Sequence, residues 1–216
     1  IIVLNVYNER LLRLLAETQI PKVFLDTSSL VAPDELNGDL LLMESRTSVR
    51  RITCHLLEQG RTLPGFIGDI SYAQSNRERY EGFCQALADA GKKVDSSLCL
   101  TTPLGIDTYR EEIDTFLSSL SRMPDAFVCA SDYVACILMQ LLEKRGLRVP
   151  EDVAVSGFDN NTEDLLAEHL TTVQVFNEEL GARLALQILY RIKYPNTPHE
   201  ITYLGTNVLY RDSTGD

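Results

Sequence analysis

The chain has 216 residues, 44% of them apolar and 24% charged, with a formal net charge of −11. That length is ample for a packed core, and the balance of apolar to charged residues excludes a disordered tail. An acidic excess of this size repels a phosphodiester backbone, and no Lys/Arg-rich stripe offsets it, so any contact with DNA in the intact protein falls to another segment. The longest dense apolar runs, Ile1–Val6 and Leu40–Met43, are strand-sized and far short of a membrane span.

Strand-like and helix-like patterns alternate from end to end. Ile1–Val6 reads as a strand, followed by a helix capped by Asn8 and running to Glu17, with Leu11, Leu12, Leu14 and Leu15 on one face. Pro21–Leu25 is a second strand, Thr27–Asn37 a loop, and Leu40–Met43 a third strand. Residues 46 to 59 are helical and stop at Gly60. The rhythm then repeats with strands at Leu63–Ile67, Ser97–Thr101, Asp125–Ala130 and Asp152–Val155. Between and after them lie helices at Asn76–Ala90, Thr108–Leu120, Tyr133–Arg145 and Leu180–Tyr194, before an extended tail at Ile201–Tyr210. Strands rich in Val, Ile, Leu and Phe without alternation belong to parallel sheets covered on both faces, so the pattern predicts an α/β fold with doubly wound parallel sheets.

The five cysteines, Cys54, Cys84, Cys99, Cys129 and Cys136, form no C-x-x-C pair and sit among apolar residues. They read as reduced, buried thiols of a cytoplasmic protein. His55, His169 and His199 are scattered, and adjacent Cys54 and His55 point to different sides of a helix, so no metal site is expected. No phosphate-binding glycine loop, nucleophile elbow or zinc-protease helix occurs, and neither a cofactor nor an enzymatic activity is expected.

Ligands of open parallel sheets bind beyond the carboxyl ends of the strands. Here those ends carry Asn5, Asp26, Asp69, Ser131-Asp132 and Asp159, a ring of carboxylates, amide and hydroxyl suited to a neutral, hydroxyl-rich molecule. Arg79 adds a guanidinium able to donate to two neighbouring oxygens. The plainer reading of each is a helix cap. That reading is preferred for Asp132, which opens a helix, whereas for Asp159, Arg79 and Asp26 the longer sequence pattern that follows favours ligand contact.

The run Gly146-Leu147-Arg148-Val149-Pro150-Glu151-Asp152-Val153-Ala154-Val155-Ser156-Gly157-Phe158-Asp159-Asn160 resembles the signature of lactose- and galactose-repressor-type (LacI/GalR) regulators. It is supported in order by Phe66-Ile67-Gly68, by Ser75, Arg79, Gly82-Phe83 and Ala86-Leu87, by Ala130-Ser131-Asp132 with Ala135, by Leu170-Thr171-Thr172-Val173, and by Arg211-Asp212-Ser213-Thr214. The resemblance covers essentially the whole chain. It implies a two-lobed, periplasmic-binding-protein-like (type I) sensor with three crossover segments and a small sugar effector clamped between the lobes.

Carried over by position, Asp159, Arg79 and Ser75 match ligand contacts of one lobe and Asp26 and Asn5 those of the other. Ser131 stands where many members have Asn, and Glu44-Ser45 replace a more usual Asp-Asn pair. No aromatic lies at Thr102–Leu104, where some members stack a ring on the ligand, leaving Tyr7 or Phe176 as substitutes. The implied lobes are 1–43 with 174–205, an incomplete first lobe, and 44–173 with 206–216. The resemblance further implies operator DNA bound only through a helix-turn-helix head outside these residues, and a homodimer in the intact protein. The Tyr133–Leu142 helix offers Ile137, Leu138, Leu141 and Leu142 as apolar candidates for that pairing, some of which must face the core. A periplasmic sugar-binding protein of a transport system is the rival class, since the upstream sequence that would separate a helix-turn-helix from a signal peptide is not part of the chain.

Overall fold

A computed structural model describes residues 1–105, 107–160 and 168–216. Two four-stranded sheets, each parallel throughout, organise the chain. The first has the order β1-β2-β3-β9, built from Ile2–Leu4, Val23–Leu25, Asp39–Met43 and Ile201–Leu204. The second has the order β5-β4-β6-β7, from Cys99–Leu100, Pro64–Ile67, Ala126–Cys129 and Ala154–Ser156. Two further strands, β8 (Thr172–Gln174) and β10 (Asn207–Leu209), pair antiparallel, Val173 opposite Val208. β8 was not legible in the sequence, and β10 was read only as part of an extended tail.

Among the described residues six α-helices cover the sheets: α1 (Glu9–Glu17), α2 (Arg46–Glu58), α3 (Gln74–Asp89), α4 (Tyr109–Ser119), α5 (Asp132–Lys144) and α6 (Asn177–Lys193). Local signals mark several of their ends. The Asn8 side chain accepts from the Leu11 amide at 3.0 Å and caps α1. Gly60 and Gly146, just past α2 and α5, take φ of 91° and 74°, a conformation that a side chain disfavours. Gly82 lets α3 approach α2 so closely that a Cβ there would run into the Arg46 carbonyl.

The chain passes between the sheets three times, at 43–46, 174–177 and 204–207. Apolar packing is continuous through these crossovers. One core cluster joins Val23, Leu25 and Leu41 of the first sheet to Phe66 and Val128 of the second and Phe83 of the helix spanning Gln74–Asp89, with Val173 and Val175 between them. A second fills the space around α5, and a third, with Leu12, Phe24 and Leu40, lies beneath α1. Among the described residues no helix is long and apolar enough to cross a membrane.

Two expectations need correction. Of the leucines placed on one face of α1, only Leu12 is buried; Leu11 and Leu14 are exposed, as are Ile2 and Leu4. The cause is position: β1 is the edge of its sheet, so part of that apolar surface has nothing opposite it. The α5 residues Ile137, Leu138, Leu141 and Leu142 are all buried, because α5 is packed between its sheet and α4. They offer no pairing surface. Helix α6 does expose apolar side chains, with Leu186 and Leu189 more than half accessible.

The far edge of the first sheet is tied by an ion pair between Arg191 of α6 and Asp39 of β3, their side chains 3% and 1% exposed. Burial alone pushes the Asp39 carboxyl up, but hydrogen bonds from Arg191, from Gln187 at 3.0 Å and from the Glu200 amide at 2.9 Å outweigh it and hold it below the usual carboxylate range. A depressed carboxyl stabilises the fold above its unfolded pKa and loses that contribution as the pH falls through its folded value. Arg191→Met therefore leaves a buried charge without its partner and lowers the unfolding free energy by about 3–5 kcal/mol in urea titrations at pH 7. In the wild type the contribution of Asp39 fades only below about pH 4.

All five thiols are free, and burial pushes the Cys129 thiol well up and the Cys99 thiol up to about 11. A thiol reagent at pH 7 accordingly spares Cys129 and Cys136 until the protein is unfolded, after which all five residues titrate; a shortfall in that count marks a disulfide.

Candidate ligand-binding cleft

The residues that follow the strands of both sheets converge on one cavity of about 220 Å³. From the first sheet come Asn5 after β1, Asp26 after β2 and Met43 at the end of β3. From the second come Gly68 and Asp69 after β4, Ala130 and Ser131 after β6, and Asp159 beyond β7. Helix α3 supplies Ser75, Asn76 and Arg79. All six positions singled out in the sequence (Asn5, Asp26, Ser75, Arg79, Ser131 and Asp159) line this one space.

The backbone explains why strand ends deliver side chains here. Asn5, Asp26 and Asp159 have φ of 51°, 58° and 107°, in the region that Asn and Asp tolerate better than other side-chain-bearing residues. Each lies at or shortly past the end of a strand. Such positions carry strain that a bare scaffold does not require.

The side chains play different parts. Asp26 is 3% exposed, and its oxygens accept from the Thr27 amide at 2.8 Å, the Ser75 amide at 3.3 Å, the Ser75 hydroxyl at 2.6 Å and the Tyr7 hydroxyl at 3.1 Å. Four donors fill the acceptor capacity of a carboxylate, so Asp26 acts first as a tie between the two sheets. Ser131 caps α5 by accepting from the Val134 amide at 3.3 Å. The expected cap, Asp132, instead accepts from the Thr172 hydroxyl of β8 at 2.6 Å.

Arg79 is the centre of the cleft wall. Its guanidinium lies 3.7 Å above the Phe158 ring, donates to the Ala130 carbonyl and to Asn76 Oδ1, and stands 3.5 Å from Asp159 Oδ1. Its Nε is buried without a hydrogen-bond partner. Asp159 keeps 43% of its side chain accessible in the open cleft; partial burial pushes its carboxyl up, while Arg79 pulls it down. A guanidinium edge and a carboxylate side by side can donate to and accept from adjacent hydroxyls.

The sequence reading named Tyr7 but missed two further phenols. Tyr72 and Tyr109 line the cavity beside Tyr7, whose ring meets that of Tyr72 edge-on at 5.0 Å. Burial raises all three, Tyr109 to about 12, so they stay protonated and able to donate. Tyr109 opens α4 only five residues past Leu104, close to where an aromatic was sought, and that placement was the available signal. Phe176 sits on the crossover beside Leu204 and Thr206 and does not line the cleft. Among the described residues no group of three His, Cys, Asp or Glu is placed to hold a metal ion.

Two parallel-sheet lobes, three crossovers and a polar cleft between strand ends define a periplasmic-binding-protein-like sensor module. The periplasmic binding protein-like domain family matches residues 53–214. The repressor PurR of Aliivibrio fischeri (strain MJ11) is 29% identical over 209 residues, covering 95% of this chain and 61% of its own length. The regulator DegA of Bacillus subtilis (strain 168) is 31% identical over 170 residues, covering 78% of this chain and 48% of its own. The structure of the transcriptional regulator CelR in complex with cellobiose superimposes with a TM-score of 0.86 and 27% identity, over 98% of this chain and 64% of that one. The chain belongs to the periplasmic binding protein-like domain family, as the effector-binding core of its LacI-type regulators. It spans about half to three fifths of the length of these curated relatives.

Because Arg79 is packed against Phe158 and hydrogen-bonded inside the lobe, Arg79→Ala should cost about 2–3 kcal/mol of stability. Asp159→Asn, which keeps the side-chain shape and tolerates the same φ, should cost less than about 1 kcal/mol. Paired urea titrations of the two variants check this contrast.

Proposed function

We propose that this chain is the sensing core of a transcription regulator, in which a small, neutral, hydroxyl-rich effector such as a mono- or disaccharide binds between the lobes. In this reading the lobes comprise 1–43 with 174–205 and 44–173 with 206–216, in line with the strands that each sheet gathers. The observation that carries it is the buried Arg79 with Nη2 3.5 Å from Asp159 Oδ1, both at the wall of a cavity ringed by strand-end acceptors and phenols. Carboxylates at Asp69 and Asp159 favour hydroxyl donors over an anionic ligand, which they would repel. The cellobiose held by CelR supports the sugar class.

Operator DNA is contacted by residues outside these 216, as the charge of −11 argues, and effector binding acts by biasing the arrangement of the lobes. The exposed apolar edge at Ile2 and Leu4 supports a first lobe that continues beyond these residues, and the intact regulator is a homodimer. Neither a cofactor nor a membrane takes part in this scheme.

A thermal-shift screen with cellobiose and common mono- and disaccharides tests the reading. A bound sugar at a hundred times its Kd adds about 2.7 kcal/mol to stability and raises the melting temperature accordingly. Asp159→Asn should weaken the binding of that sugar about tenfold to a hundredfold by calorimetry, with its own melting temperature near the wild-type value. Should no sugar shift the wild type, the cleft has another ligand class, and a planar heteroaromatic base against Tyr7, Tyr72 and Tyr109 is the next to try; should Asp159→Asn bind the sugar as tightly, Asp159 is not one of its contacts.

A further inference from the structure

Helix α3 carries Ser75, Glu78 and Arg79 at positions i, i+3 and i+4, which places the three side chains on one face. Arg79 lines the cleft, and Ser75 donates to Asp26 of the first sheet. Glu78 belongs to neither arrangement. It is 3% exposed, and its Oε1 accepts from the Tyr203 hydroxyl at 2.8 Å and from Gln74 Nε2 at 3.1 Å. Tyr203 lies on β9, in the first sheet, whereas α3 packs on the second, so this hydrogen bond crosses between the lobes.

A buried carboxylate is costly unless hydrogen-bonded, and half of the bonding to Glu78 comes from the opposite lobe. Moving the lobes apart removes the phenol and leaves Oε1 with Gln74 of its own helix. Burial and the neighbouring Glu78 push the Tyr203 hydroxyl up to about 12, so the donor persists throughout the working pH range. Nearby, two backbone hydrogen bonds also cross the gap, from the Gln74 amide to the Thr27 carbonyl at 2.9 Å and from the Ser29 amide to the Tyr72 carbonyl at 3.0 Å. These two amides report directly on separation of the lobes.

We propose that the Tyr203–Glu78 hydrogen bond is a strut between the lobes that, together with Asp26–Ser75, sets how far α3 stands from the first sheet. Tyr203 and Glu78 are thus positioning residues for Arg79, which neither of them touches. The consequence for the effector rests on the cleft reading above, but the strut itself does not.

The test is amide-resolved hydrogen exchange on the ligand-free chain, comparing wild type with Tyr203→Phe, Glu78→Met and the double variant. Tyr203→Phe removes one hydroxyl from a half-exposed side chain and keeps the fold. Each single variant should speed exchange at the Gln74 and Ser29 amides about three- to tenfold, while the Phe66 and Val128 amides inside the second sheet keep their rates. The double variant should be no faster than the faster single one, because both remove the same bond. Unchanged rates at Gln74 and Ser29, a uniform acceleration at all four amides, or effects that multiply in the double variant would each overturn the strut. No ligand enters the measurement, so its failure leaves the cleft reading untouched, and a cleft that binds no sugar leaves the exchange result standing.

Discussion

A carboxylate buried between two sheets, Asp26, organises this molecule. It follows β2 of the first sheet, yet two of its four donors, the Ser75 amide and hydroxyl, belong to a helix of the second. Removing such a group from water costs several kcal/mol unless its lone pairs are filled, and here they are filled only when the lobes stand together. The separation of the lobes is thereby set by hydrogen bonding across the cleft mouth as well as by the chain crossings behind it. The cleft has its shape because that tie is made.

The crossings contribute in another way. Apolar packing runs unbroken from Val23 and Leu41 through Val173 and Val175 to Phe66 and Val128, so the lobes share a core on the side away from the cleft. A shared core resists sliding, while a pair of sheets joined by short segments can still pivot about them. Polar ties and packed crossovers together hold the two lobes in the arrangement seen here.

The cleft is polar for a topological reason. Parallel strands send the same end toward the same edge, and two such edges face each other across this cavity. Asn and Asp at those ends adopt backbone conformations that other side-chain-bearing residues resist, turning each strand and leaving an acceptor at the rim. Arg79 adds a guanidinium to that wall, held against Phe158 so that packing settles its rotamer.

Much of this could be read from the chain alone. Uninterrupted apolar strands, alternating with helices that end at Gly60, Gly91 and Gly146, determine a doubly wound α/β fold, because propensity, periodicity and capping are local properties. The polar residue after each strand located the cleft for the same reason. Other features depended on which surfaces meet. Tertiary packing turned Ile137 and Leu141 of α5 inward and left Leu11 and Leu14 of α1 exposed at a sheet edge, and periodicity cannot tell those cases apart. It also decided that Asp26 is saturated while Arg79 Nε is not, and that Tyr72, Tyr109 and the Tyr203–Glu78 contact stand where they do. Hydrogen-bond partners 49 and 125 residues apart are chosen by the way two sheets approach each other, and that approach is written in no local pattern.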